Sequence, residues 1–215
     1  MKNFKKIFAI VFAAVTLVFA VLVTISERES FEYLKLLGES DEFSRGLGIL
    51  ALIVLISDIL LILFSAAGLV LVLFDKLVPF KAIVSCAVVV LVKFLISIFA
   101  YMLLMAVWKA PAEVWKEYFF GKDSLAIIPL IIFVVAVAVL LIATANQFEG
   151  TLIRAVLTTI GAGLAIFGLC FYFIPSMGDK PDWLVVFGLV VALALQAGAI
   201  VYSYLPQTRE FKAEE

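Results

Sequence analysis

Six long apolar stretches constrain this chain more than anything else in it: residues 7–25, 47–74, 82–108, 125–145, 152–174 and 183–205. Each reaches about 18 residues or more, enough to cross the roughly 30 Å hydrocarbon core of a bilayer as a helix. Only helices and closed barrels satisfy all their backbone hydrogen bonds in lipid, and these runs lack the alternation of barrel strands. The expected fold is therefore an all-α integral membrane protein, one domain over residues 1–215, built as a bundle of about six transmembrane helices. The runs at 47–74 and 82–108 exceed the membrane thickness, so those helices are expected to tilt.

Composition agrees. Of 215 residues, 66% are hydrophobic and 15% charged, against roughly 45–50% and about 25% in soluble domains. With a mean hydropathy of +1.23, a single core cannot hide all the apolar surface, and lipid is the solvent that accepts the remainder. The net charge of -1 supplies no basic face for nucleic acid and no polybasic run for anionic lipid. Cys86 and Cys170 both fall inside apolar runs, where they read as small buried hydrophobes rather than a disulfide.

The first run follows Lys2, Lys5 and Lys6 and carries Val-Phe-Ala ending at Ala20, in the manner of a signal peptide. Its apolar stretch continues to Ile25, beyond the roughly 7–15 residues of a signal core, so a retained first helix is expected. Lysine and arginine are almost evenly divided between the two sides. The three N-terminal lysines and the short connection at 75–81, with Lys76 and Lys81, place both termini in the cytoplasm and the chain in the plasma (cytoplasmic) membrane.

On that topology the longer connections, 26–46 and 109–124, face outward, and each reads as a short amphipathic surface helix. In the first, Ser26 and Glu29 have capping-box spacing, Phe31, Leu34 and Leu37 share a face, and Gly38 offers a stop. In the second, Pro111 suits a first turn, Trp115, Tyr118 and Phe119 are spaced toward one face, and Gly121 ends the helix. Trp108, Trp115, Trp183, Tyr202 and Tyr204 suit interfacial anchoring.

Soluble-type chemistry has little to work with. There is no histidine, which removes imidazole acid–base catalysis and His-ligated metal or haem sites. No nucleophile elbow, Walker loop, dinucleotide-binding glycine pattern or paired acidic motif on a helix face occurs. No enzyme activity and no cofactor are expected.

Two charges lie deep within the apolar runs, Asp58 and Lys93. A charge in the hydrocarbon core costs roughly 2.5–3.5 kcal/mol even on the lenient insertion scale, so each needs a partner or water. Asp58 lies about 11 residues into the second run from its outer end and Lys93 about 15 residues into the third; at about 1.5 Å per residue their depths differ by about 6 Å. On adjacent antiparallel helices that is within reach of a lysine, and an Asp58–Lys93 ion pair is the simplest solution for both. Ala51, Asp58 and Ser65 recur every seven residues, and Cys86, Lys93, Ser97 and Ala100 share a face, so both charges sit among small or polar neighbours. Ser97 and Gln196 are the secondary polar candidates; Thr158, Thr159 and Asn146 complete a sparse set.

Small residues also line Ala9, Ala13, Thr16 and Ala20; Thr158, Gly161, Ala165 and Gly168; and Gly188 and Ala192. Such stripes allow close helix contact, within the bundle or toward a membrane-protein partner or a second copy. Pro129 should sit in the first turns of its helix. These features together lead to a non-enzymatic scaffold or accessory subunit of a membrane assembly, with the lipid bilayer as its first partner. The alternative is a small-solute or ion transporter or channel component using the Asp58–Lys93 layer.

Overall fold

The computed structural model describes residues 2–107, 109, 111, 113, 127–148, 151–168 and 183–205. They form α1 (Lys2–Ser26), a 3-10 helix (Arg28–Gly38), α2 (Glu42–Leu73), α3 (Pro79–Val107), α4 (Ile127–Ala145), α5 (Thr151–Gly168) and α6 (Trp183–Tyr204), with no strand among the described residues. Among the described residues, three segments are long and apolar enough to cross a membrane: Asn3–Ile25, Glu42–Leu73 and Pro79–Ala106. Val134–Ala145, Leu152–Leu164 and Val190–Tyr204 are apolar but shorter. Of the second surface helix expected in 109–124, residues 114–124, with Trp115, Tyr118, Phe119 and Gly121, lie outside the described residues, as do Trp108, Cys170 and the end of the fifth run.

Helix ends extend past the apolar runs because helicity and apolarity are different properties. α2 begins five residues before its run, where Asp41 caps it: the Ser44 backbone N–H donates to Asp41 Oδ2 at 2.9 Å. These bonds hold the exposed Asp41 carboxyl below its ordinary range. α3 opens on Pro79 at its first position, where the missing N–H has no role. Pro129, in the first turn of α4, is accommodated in the same way.

α1, α2 and α3 pack mutually, α4 packs against α5 and α6, and the two groups meet through α3 with α4 and α1 with α6. Their side-chain distribution is compatible with a membrane protein. Along α2 the buried positions are Gly48, Ala51, Ser57, Asp58, Leu61, Ser65, Gly68 and Val72, while Ile49, Leu52, Ile53, Ile56, Ile59, Leu60, Leu63 and Phe64 are exposed. Leu61 and Val72 apart, small and polar groups face inward, and many large apolar groups face outward, an arrangement that water penalises and lipid does not. It suggests association with a membrane.

Close contacts follow the small residues. Ala9, Ala13, Thr16 and Ala20 are all buried on α1. A Cβ built on Gly161 of α5 would lie 2.6 Å from Ile142 Cγ1 and 3.0 Å from the Ala138 carbonyl oxygen of α4. One on Gly198 of α6 would lie 2.7 Å from the Phe8 ring, which itself stacks between Phe4 and Phe12 and meets Tyr202. Cys86 is a free thiol in this core.

The connection after α1 departs from expectation. Ser26 is the last residue of α1 rather than the cap of a following helix, and the next helix starts at Arg28 from Glu27 with no side-chain cap hydrogen bond. The segment is 3-10 rather than α. Phe31, Leu34 and Leu37 explain why that geometry suits it: residues three apart eclipse at three residues per turn, so the apolar stripe stays in line. Phe31 and Leu34 are half-buried while Glu32, Tyr33 and Lys35 are exposed. The helix packs along α2, and its end abuts Gly48, where a Cβ would lie 2.7 Å from the Leu37 backbone nitrogen.

A candidate interhelical charge site

α1 is shorter than α2, and the 3-10 helix continues the α1 column beside the N-terminal half of α2. From Asp58 to Gly48 is about 15 Å along α2 at 1.5 Å per residue, a climb that the 3-10 helix covers between Glu27 and Leu37. Glu27, the residue between α1 and the 3-10 helix, therefore comes level with the middle of α2 and α3.

Three charged side chains meet there. Lys93 Nζ lies 2.5 Å from Asp58 Oδ1 and 2.7 Å from Glu27 Oε2. The lysine donates a hydrogen bond to Glu27; its approach to Asp58 is an ion pair in contact without hydrogen-bond direction, and neither Asp58 oxygen has a hydrogen-bond partner among the described residues. Side-chain exposure is 5% for Lys93, 0% for Asp58 and 23% for Glu27. Both carboxylates touch one nitrogen, so they are neighbours of each other.

Helix periodicity builds the site. Ala51, Asp58 and Ser65 are all buried on one face of α2, and Cys86, Lys93 and Ala100 on one face of α3. The short connection after Leu73 holds the two helices antiparallel and adjacent. Beneath the charges lies an apolar layer of Ala20, Leu61, Val90 and Ala136, which keeps the local dielectric low and makes ion pairing both strong and obligatory. Burial raises the Glu27 carboxyl above its ordinary range; Lys93 pulls it down without cancelling that rise, and Asp58 adds to it.

Ser97, one turn along α3 from Lys93, borders the same place. It lines a cleft of about 20 Å³ with Phe19, Val23, Glu27, Val90, Lys93 and Phe94, and its buried Oγ has no hydrogen-bond partner among the described residues. Gln196 is buried elsewhere, on α6, which packs chiefly on α4. Thr158 is buried on α5. Neither joins the Lys93 cluster.

Glu27 is the member that sequence reading misses, because it follows the first apolar run directly and so reads as an interfacial loop residue. The three-residue spacing of Phe31, Leu34 and Leu37 is the signal that carries the α1 column past it. A second buried polar node joins Lys5 to Asn146, a pairing that the sequence does not reveal, and closes the opposite end. Lys5 Nζ donates to Asn146 Oδ1 at 2.9 Å and lies 5.2 Å from the centre of the Tyr202 ring. Asn146 Nδ2 donates to the carbonyl oxygens of Tyr202, Ser203 and Leu205 at 2.8–3.0 Å, capping α6 from the turn that follows α4. Lys6 pairs with Asp75 at 2.7 Å on the nearby surface.

Among the described residues no three His, Cys, Asp or Glu side chains gather as a metal cage. No protein-family model, curated protein or solved structure matches the chain, so its reading rests on this geometry.

Proposed function

We propose that the chain is a six-span helical bundle of the cytoplasmic membrane, with both termini cytoplasmic, acting as a non-enzymatic scaffold or accessory subunit of a membrane assembly. The observation that carries this reading is the form of the charged site. Lys93 is enclosed by Glu27 and Asp58 from two other elements, so three segments are tied together at one point. The adjoining cleft of about 20 Å³ suits a water-sized species and not a solute. Gln196 and Thr158 stand on α6 and α5, apart from that layer, which favours a lock over a continuous polar route.

Reporter fusions test the topology: phosphatase fused after Leu205, active only outside, should be silent. Reconstituted liposomes test the role. The bundle should pass no small ions or solutes, and cross-linking in native membranes should give an adduct of defined mass. A flux that disappears in a folded Lys93→Met variant would replace this reading with the transporter one.

A further inference from the structure

The triad does not balance its charge. Two carboxylates, Glu27 and Asp58, face one ammonium, Lys93. α4, packed against α3, contributes no ionisable side chain, and the charged groups acting on Glu27 are Lys93 of α3 and Asp58 of α2. Arg28, Glu32 and Lys35 of the 3-10 helix are exposed. Surplus negative charge over an apolar floor is costly, and neighbouring carboxylates relieve it by keeping one member protonated. A metal cation would need about six oxygen ligands, and the Lys93 ammonium already occupies the space between the carboxylates. A second observation points the same way: Asp58 is fully buried, and its Oδ2 is an acceptor without a donor among the described residues.

We propose that Glu27, Asp58 and Lys93 form a proton-binding site that holds one proton on its carboxylate pair, exchanges it through the cleft beside Phe19, Val23 and Ser97, and loosens the α1/3-10 junction when loaded. In the step, a hydronium ion reaching the cleft from solvent gives its proton to a Glu27 carboxylate oxygen: one O–H bond of the hydronium breaks, one O–H bond forms on Glu27, a water molecule leaves, and nothing is oxidised or reduced. Lys93 keeps Asp58 as its counter-ion, and the new Glu27 hydroxyl can donate to the neighbouring Asp58 carboxylate. Unloaded, Glu27 is held to Lys93 by the 2.7 Å contact. Loaded, that charge-assisted bond is lost, and the 3-10 helix is tethered through Leu37 at Gly48 and its packing on α2. The site is thus a switch for the segment that covers the N-terminal half of α2.

The test is infrared difference spectroscopy of the full chain in lipid nanodiscs across a pH titration, with amide exchange followed in parallel. The expected result is a carbonyl band from a buried protonated carboxyl at pH values where exposed glutamates are fully ionised. It should fade on further alkalinisation, be absent in Glu27→Gln, and grow in Lys93→Met, where the ammonium that favours the ionised Glu27 is gone. Exchange across residues 28–38 should slow as the band fades. Wild-type protein with no such band, or a band left unchanged by both Glu27→Gln and Asp58→Asn, overturns the proton site. A titrating band with constant exchange at 28–38 overturns the coupled movement. Should Glu27→Gln fail to fold, Glu27→Asp replaces it: a moved titration midpoint is expected, and an unmoved one overturns the assignment to Glu27.

Discussion

Replacing the three charges one at a time should give unequal losses of stability, and the order tests the geometry of the triad. Lys93→Met removes the ammonium that touches both carboxylates and leaves Asp58, with 0% exposure, without a counter-ion. Breaking a buried pair in this way costs about 3–5 kcal/mol. Asp58→Asn is milder, because Lys93 keeps Glu27 at 2.7 Å; the loss is that of one interaction to a charged group, about 1.5–3 kcal/mol. Glu27→Gln should cost least, about 0–1 kcal/mol, since Lys93 retains Asp58 and the surplus negative charge disappears. The Asp58→Asn/Lys93→Met double variant regains only part of the Lys93→Met loss, because Glu27 remains. Adding Glu27→Gln should bring stability back to within about 1 kcal/mol of the parent, as neutral replacement of a whole buried ionic group often does. Equilibrium unfolding in mixed micelles, followed by tryptophan fluorescence, measures the series. Equal losses for Asp58→Asn and Lys93→Met would show that Glu27 does not hold the lysine. Singles whose effects simply add would show that the residues are uncoupled.

Three further outcomes follow from the same contacts. Because the Glu27 carboxyl is raised in the folded chain, the native state binds a proton more tightly than the unfolded one; stability should fall as pH rises from the ordinary glutamate range through the raised value, then level off, and Glu27→Gln should abolish that slope in unfolding measured against pH. Gly161→Ala and Gly198→Ala should each destabilise by about 1–3 kcal/mol, since a Cβ meets Ile142 and the Ala138 carbonyl oxygen in one case and the Phe8 ring in the other, whereas Gly163→Ala, with nothing within 4 Å, should not; thermal unfolding of the three decides this. Asn146→Ala should free the last carbonyls of α6, lowering stability by about 1–3 kcal/mol and speeding amide exchange near Tyr202–Leu205, while unchanged exchange there would remove Asn146 as the cap.

How much of this was legible beforehand depends on which interactions are local. Apolar length and helical periodicity are properties of consecutive residues, so helices at all six runs, the inward faces of Ala51, Asp58 and Ser65, and the buried stripe of Ala9, Ala13, Thr16 and Ala20 can be read along the chain. A charge inside such a run is conspicuous for the same reason, which is why Asp58 and Lys93 stand out. Asp41 as a cap and Pro79 as a first helical residue are local too, but a scan for apolarity passes over them because they precede the apolar stretch. Glu27 differs in kind. Its position at the end of a run says interface, and only the unequal lengths of α1 and α2, with the 3-10 helix continuing the α1 column, bring it level with the centre of its neighbours. Lys5 and Asn146 are 141 residues apart in the chain, and neither carries a local sign of the other. The sequence by itself determined a helical chain suited to lipid, with two charges needing compensation; the tertiary structure decided that three elements share the compensation, because burial of a charge is relieved by whichever opposite charge the packing brings within contact, wherever it lies along the chain.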